Sequence, residues 1–159
     1  MGKIIHPLGK KGGTLTPFVD GTASNEANIN FYVVGNMEVY AMVDGTIVDI
    51  DEKDKLGNTI TIKTNSFNYN NNENLYLTYC RLGEVLVNKG DKINAGSVIA
   101  KTIGTNYKTS NIITIFFSEV NNYTQITSIP ITNRRTDINY IDLKKITNNG
   151  EEIIKSDNL

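Results

Sequence analysis

The chain is 159 residues long with a net charge of −1, which is the size of one domain with ragged ends. A chain of this length can bury a core without disulfides or a structural metal. The charge balance gives no electrostatic case for nucleic acid, and the single cysteine, Cys80, excludes an internal disulfide and any multi-cysteine metal site.

The first residues, M-G-K-I-I-H-P-L-G-K-K-G-G, lack an apolar h-region, so no signal peptide is expected. No apolar run approaches the ~18 residues of a membrane span. Residues 1–24 hold Pro7, Gly9, Gly12, Gly13, Pro17 and Gly21 and read as an irregular N-terminal arm, with the only histidine, His6, inside it. Ile29–Val34 is the first strand, Gly35-Asn36 turns the chain, and Met37–Val43 is the second.

Strands are expected next at Thr46–Asp51, Asn58–Thr64 and Asn74–Arg81, with Asp44-Gly45 and Gly57-Asn58 as turn pairs. The Asn-rich run Asn68–Asn74 is an exposed loop tip. Leu75, Leu77 and Tyr79 alternate with Tyr76, Thr78 and Cys80, the period of a half-buried strand, and Leu82-Gly83-Glu84 closes it. In Val85–Ile103, turns at Lys89-Gly90-Asp91 and Asn94-Ala95-Gly96 separate short apolar runs. The first of them reads as a hairpin, and Val87, Ile93, Val98 and Ile99 point inward. Ile47, Ile50, Ile60 and Ile62 supply more of the core. Ile112–Val120 is too apolar for an edge strand and should be central.

Beyond Val120 the pattern loosens. Ile129-Pro130-Ile131 is extended, Asn139–Ile146 is a last strand or a short helix, and Glu151–Lys155 is a final strand. No segment keeps helical periodicity over about 11 residues, so the fold class is all-β, a compact sandwich or barrel.

Several constellations read as ordinary structure. Cys80 has no histidine in its module to activate it and reads as a buried thiol. Tyr69, Tyr76, Tyr79 and Tyr107 read as packing residues rather than a sugar platform. Gly9–Gly13 lacks the G-K-[ST] ending of a phosphate loop, and Asp49–Asp54 lacks the glycine and terminal glutamate of an EF-hand.

Taken in order, the pieces resemble the lysostaphin/LytM-type zinc endopeptidases. V-Y-A-M-V-D-G-T-I-V is similar to the family's V-Y-A-A-x-D-G-x-V, L-G-N-T-I-T-I to Y-G-N-x-V-x-I, and Y-C-R-L to Y-x-H-L. V-N-K-G-D-K-I-N-A-G-S-V-I-A and I-T-I-F-F-S-E-V stand where the family has V-x-x-G-x-x-V-x-x-G-x-x-I-G and H-x-H-F-E-V. The resemblance implies a duplicated hybrid motif over residues 25–121, between an arm at 1–24 and a C-terminal extension at 122–159. It also locates departures. Glu26 and Asn30 stand in the H-x-x-x-D slots, Ile115 and Phe117 in the H-x-H slots, and Arg81 for the histidine of Y-x-H-L. A one-residue slip puts Thr114 and Phe116 on the H-x-H slots instead.

A water-activating zinc needs about three N, S or O ligands and an open position. An all-carboxylate set from Glu26, Asp44 or Glu119 would suit a harder ion. The resemblance thus implies a degenerate cleft of Glu26, Asn30, Tyr79, Arg81, Ile115, Phe117 and Glu119 with no cofactor and no catalysis, either packed shut or open as an apolar groove. The expected function is a structural or docking module of a bacteriophage tail or baseplate. It would be made in the bacterial cytoplasm, reside in the virion and assemble with other protein subunits through residues 1–24 and 121–159. The alternatives are a non-catalytic peptidoglycan- or protein-binding module of a cell-envelope complex, and an active cell-wall endopeptidase. Biotinyl and lipoyl carriers share the hybrid-motif geometry, but their hairpin-tip lysine setting is missing.

Overall fold

The structure is a computed structural model that describes residues 5–9, 28–33, 35–52, 57–68, 73–103, 111–118, 147–148 and 151–152. The strands are β1 (Asn28–Val33), β2 (Glu38–Tyr40), β3 (Gly45–Asp51), β4 (Asn58–Thr64), β5 (Leu75–Val85), β6 (Lys92–Ile93), β7 (Val98–Thr102), β8 (Asn111–Ser118), β9 (Thr147–Asn148) and β10 (Glu151–Glu152). Eight of them form one antiparallel sheet in the order β1-β8-β5-β4-β3-β6, with β7 beside β5 and β2 beside β7; β9 and β10 pair separately. The expected all-β class is what forms. No helix among the described residues is long and apolar enough to cross a membrane.

Strand β5 organises the sheet. One edge pairs with β4 from Leu75 to Leu82. The other pairs with β8 from Tyr76 to Cys80, then with β7 at Leu82 and Val85. The handover falls at Arg81, whose φ of 64° is the one positive value among described non-glycine residues. Between the pairs Asn58↔Leu82 and Ile60↔Tyr79, Thr59 alone opposes both Cys80 and Arg81, so the strand is bulged and bent there.

The core follows from alternation. Ile60 and Ile62 of β4, Leu75, Leu77 and Tyr79 of β5, and Ile113, Ile115 and Phe117 of β8 share one face with Phe31 and Ile47. Strand β8 lies between β1 and β5, the central place its apolar run demanded.

Five expectations need correction. The turn at Gly90 does not make a local hairpin: β6 pairs with β3, and Gly90 N–H donates to Ile47 C=O at 2.7 Å. Of Met37–Val43 only Glu38–Tyr40 is strand, because the next residues serve other partners: Ala41 N–H donates to Ser97 C=O and Ala41 C=O accepts from Gly96 N–H. Leu82-Gly83-Glu84 does not close β5, since a side chain on Gly83 would lie 2.7 Å from Thr102 O and its absence lets β7 approach. Strand β5 is enclosed on both faces from Leu77 to Cys80 rather than half-buried, because Thr78 and Cys80 are as enclosed as Leu77 and Tyr79, although Tyr76 keeps the expected half-burial. Residues 5–9 are irregular but docked rather than projecting. Pro7 and Leu8 are buried, Ile5 N–H donates to Met42 C=O, and Pro7 C=O accepts from Tyr40 N–H. Residues 10–24, Ile129-Pro130-Ile131 and Asn139–Ile146 lie outside the described residues.

Candidate functional site

The three strands that carry most of the positions expected from the resemblance, β1, β8 and β5, lie side by side. Their register pairs Asn30 with Thr114, Ile29 with Ile115 and Asn28 with Phe116. Across the other edge of β8, Ile115 pairs with Tyr79, Phe117 with Leu77 and Thr114 with Cys80. Residues directly opposite share a face, so Tyr79, Ile115 and Phe117 meet on the core side. All three are at most 1% exposed. Asn30 registers with Thr114 and not with either of them. Glu26 and Glu119 lie outside the described residues.

The second face of the same strands is polar and equally enclosed. Thr59 and Thr61 of β4, Thr78 and Cys80 of β5, and Thr114 and Ser118 of β8 are all buried, with Phe116 half-buried among them. Thr61 and Thr78 hydroxyls share a hydrogen bond of 3.0 Å across the ladder. Sequence reasoning missed this face. The signal was the threonine alternation at Thr59 and Thr61 of N-T-I-T-I-K-T, since a β-branched side chain packs well on an enclosed sheet face.

Tyr79 acts as a structural pin. Its hydroxyl accepts a hydrogen bond from Met42 N–H at 2.8 Å, tying β5 to the irregular segment after β2. Burial pushes the phenol well above its usual value, and the Met42 bond only partly opposes that. Tyr79→Phe should therefore lower unfolding stability by about 1–3 kcal/mol, because the buried Met42 N–H is left unmade. A urea midpoint equal to wild type would show that the hydroxyl carries no such role.

Cys80 is buried, and desolvation pushes its thiol far up, against the smaller downward pull of the Arg81 charge. A thiol held protonated in that way is a poor nucleophile. His6 does not sit apart in an arm: its ring packs edge-on to Phe31 at 5.0 Å, and its Nδ1 accepts from Leu8 N–H at 3.1 Å.

Arg81 is the unusual member. It is half-buried, and its Nε has no hydrogen-bond partner among the described residues. Its left-handed backbone is braced from outside. Gly57, at φ 67°, packs so closely that an added Cβ would lie 2.8 Å from Arg81 Cα. The Asn58 side-chain amide donates to Gly83 C=O at 2.6 Å.

Zinc can be tested against this donor set. Ile115 and Phe117 offer no lone pair, Tyr79 is committed to a backbone amide, and Arg81 is a cation. Among the described residues no group of three His, Cys, Asp or Glu side chains could hold a metal ion. The described residues do not fit zinc.

The model of peptidase family M23 matches residues 25–126. Several solved structures share the fold, three of them as follows. CbpA from L. salivarius REN is 13% identical, with TM-score 0.61 over 88% of this chain and 91% of that one. The catalytic domain of the prophage-encoded M23 protein EnpA from Enterococcus faecalis, solved as a point mutant, is 14% identical, with TM-score 0.51 over 66% and 82%. A chain of the SpoIIQ–SpoIIIAH pore-forming complex is 18% identical, with TM-score 0.50 over 72% and 84%. Comparison with curated protein sequences gives no match.

Proposed function

We propose that this chain, which belongs to peptidase family M23, is a non-catalytic member of it, serving as a structural or docking module of a bacteriophage tail or baseplate. One observation carries the first half: Ile115 and Phe117, in the histidine slots, are packed into the core against Tyr79 and Leu77. The chain's one imidazole is engaged with Phe31 and Leu8. Without a bound ion there is no activated water, and the scaffold is left with its surfaces.

The phage setting draws support from the prophage-encoded EnpA domain of like fold. In that setting the chain is made in the bacterial cytoplasm and carried in the virion, in contact with other protein subunits. Because residues 5–9 are used in the domain's own packing, the contacts fall to other residues within 1–24 and to 121–159. A second reading is a non-catalytic protein- or peptidoglycan-binding module of a cell-envelope complex, favoured by the likeness to a component of the SpoIIQ–SpoIIIAH complex.

The test is metal analysis of freshly purified full chain, run with a sizing column and a cell-wall cleavage assay. The expected result is zinc far below one per chain, no release of wall fragments, and a mass above the monomer that rises with concentration. Stoichiometric zinc together with cleavage would sink the non-catalytic reading. A monomer at all concentrations that binds neither tail proteins nor cell wall would sink the docking role.

A further inference from the structure

We propose that the bend in β5 is a carboxylate-binding site, with Arg81 and Thr59 as its two donors. This rests on the reading that the domain binds rather than cuts, and it names the chemistry that would be bound. Two polar atoms in this region have no partner among the described residues, the Nε of Arg81 and the Oγ1 of Thr59. Thr59 is 1% exposed. The register sets them at the same step of the ladder, where Thr59 alone opposes Cys80 and Arg81. A hydroxyl and a guanidinium N–H can both donate, and leaving a buried donor unmade is costly. What would satisfy both is one oxyanion.

Charge narrows the class. The ion pair described in the molecule is Lys89 with Asp49 at 3.7 Å; none is formed by Arg81 within the described residues. A single cation with one hydroxyl at the same step of the ladder balances a monoanion, and a phosphate dianion would want a second cation. The backbone supports the same conclusion. A φ of 64° is unfavourable for any side chain with a Cβ, whereas the neighbouring turn meets a similar φ of 67° with Gly57. An arginine held at such a position by Gly57 and Asn58 is strained in the manner of residues whose side chain has a task.

The carboxylate could be a peptide C-terminus or an Asp or Glu side chain of a partner, and the test separates them. The full chain is titrated, with amide shifts as readout, against N-acetyl-Ala-Ala, its C-terminal amide, N-acetyl-Asp amide and inorganic phosphate. At least one free carboxylate should bind at the β5 bend, and the neutral amide should not. The preferred probe identifies the source. Arg81→Gly removes the guanidinium at a φ that glycine adopts freely, so the fold is kept, and binding should fall by about tenfold or more. Thr59→Val keeps the shape without the hydroxyl and should weaken binding by about threefold or more. Equal binding of acid and amide, or undiminished binding in Arg81→Gly, would overturn the assignment. So would shifts with phosphate alone, which would mark an adventitious ion only. Zinc content and cleavage are not read in this titration, so its failure leaves the non-catalytic reading standing.

Discussion

Gly57→Ala is expected to lower the thermal midpoint by roughly 6–12 °C, and to do so through a residue far off in sequence. Two costs combine. At φ 67° an alanine pays about 1–2 kcal/mol of left-handed strain. Its Cβ would also stand 2.8 Å from Arg81 Cα, a backbone atom that cannot rotate away, and relieving such an overlap costs about 1–3 kcal/mol. A total near 3 kcal/mol, at about 2–4 °C for each in a chain of this size, gives the stated shift. Gly35→Ala is the matched control, since its φ of 69° is nearly the same and nothing lies within 4 Å of the added carbon. It should lose only the strain, about 1–2 kcal/mol. Equal midpoints for the two variants would mean that Gly57 does not brace Arg81. Because the displaced atom is Arg81 Cα, Gly57→Ala should also weaken carboxylate binding, and Gly35→Ala should not.

What the sequence made legible was local. Ile60 and Ile62, alternating with threonines after a Gly-Asn turn, could only be a strand with an inward aliphatic face. Ile113, Ile115 and Phe117, in a run broken only by Thr114, could only be central. Gly90 and Gly96 adopt the positive φ their turns required. Partner choice was not legible, because turn chemistry reports how the chain reverses and not what it then pairs with. The turn at Gly90 delivers β6 to β3, where Ile47 N–H donates to Asp91 C=O.

The candidate site was legible as a set of positions and not as a geometry. Slot matching put Ile115 and Phe117 with Tyr79 and Asn30, but a strand shows each face only every second residue. The register then decides, and it pairs Asn30 with Thr114. The bend at Arg81 was invisible for another reason. Nothing in an arginine announces a left-handed backbone, which here is imposed by Gly57 and by the change of partner from β8 to β7. Gly83 was read as a terminator because glycine breaks strands on average; at this step its missing side chain admits Thr102 O.

Placing histidines at the two positions that the sequence resemblance aligns with H-x-H gives the largest expected effect. Ile115→His with Phe117→His should leave the chain largely unfolded at room temperature, with no zinc bound. Ile115 sits between Ile29 and Tyr79 in register, and Phe117 opposite Leu77. Each change deletes a buried apolar side chain, at about 2–4 kcal/mol, and puts a polar imidazole into the core in its place, at about 1–3 kcal/mol more. The two together approach or exceed the whole stability of a typical domain, about 5–15 kcal/mol. Phe116→His is the informative contrast, because Phe116 is half-buried on the opposite face and its substitute can keep a nitrogen toward solvent. It should cost well under half as much as the core pair. Circular dichroism with urea titration, with and without zinc, reads all three chains. A folded double variant whose midpoint rises with zinc would place the two imidazoles together on an ion, and the sealed core assigned to Ile115 and Phe117 would then be wrong.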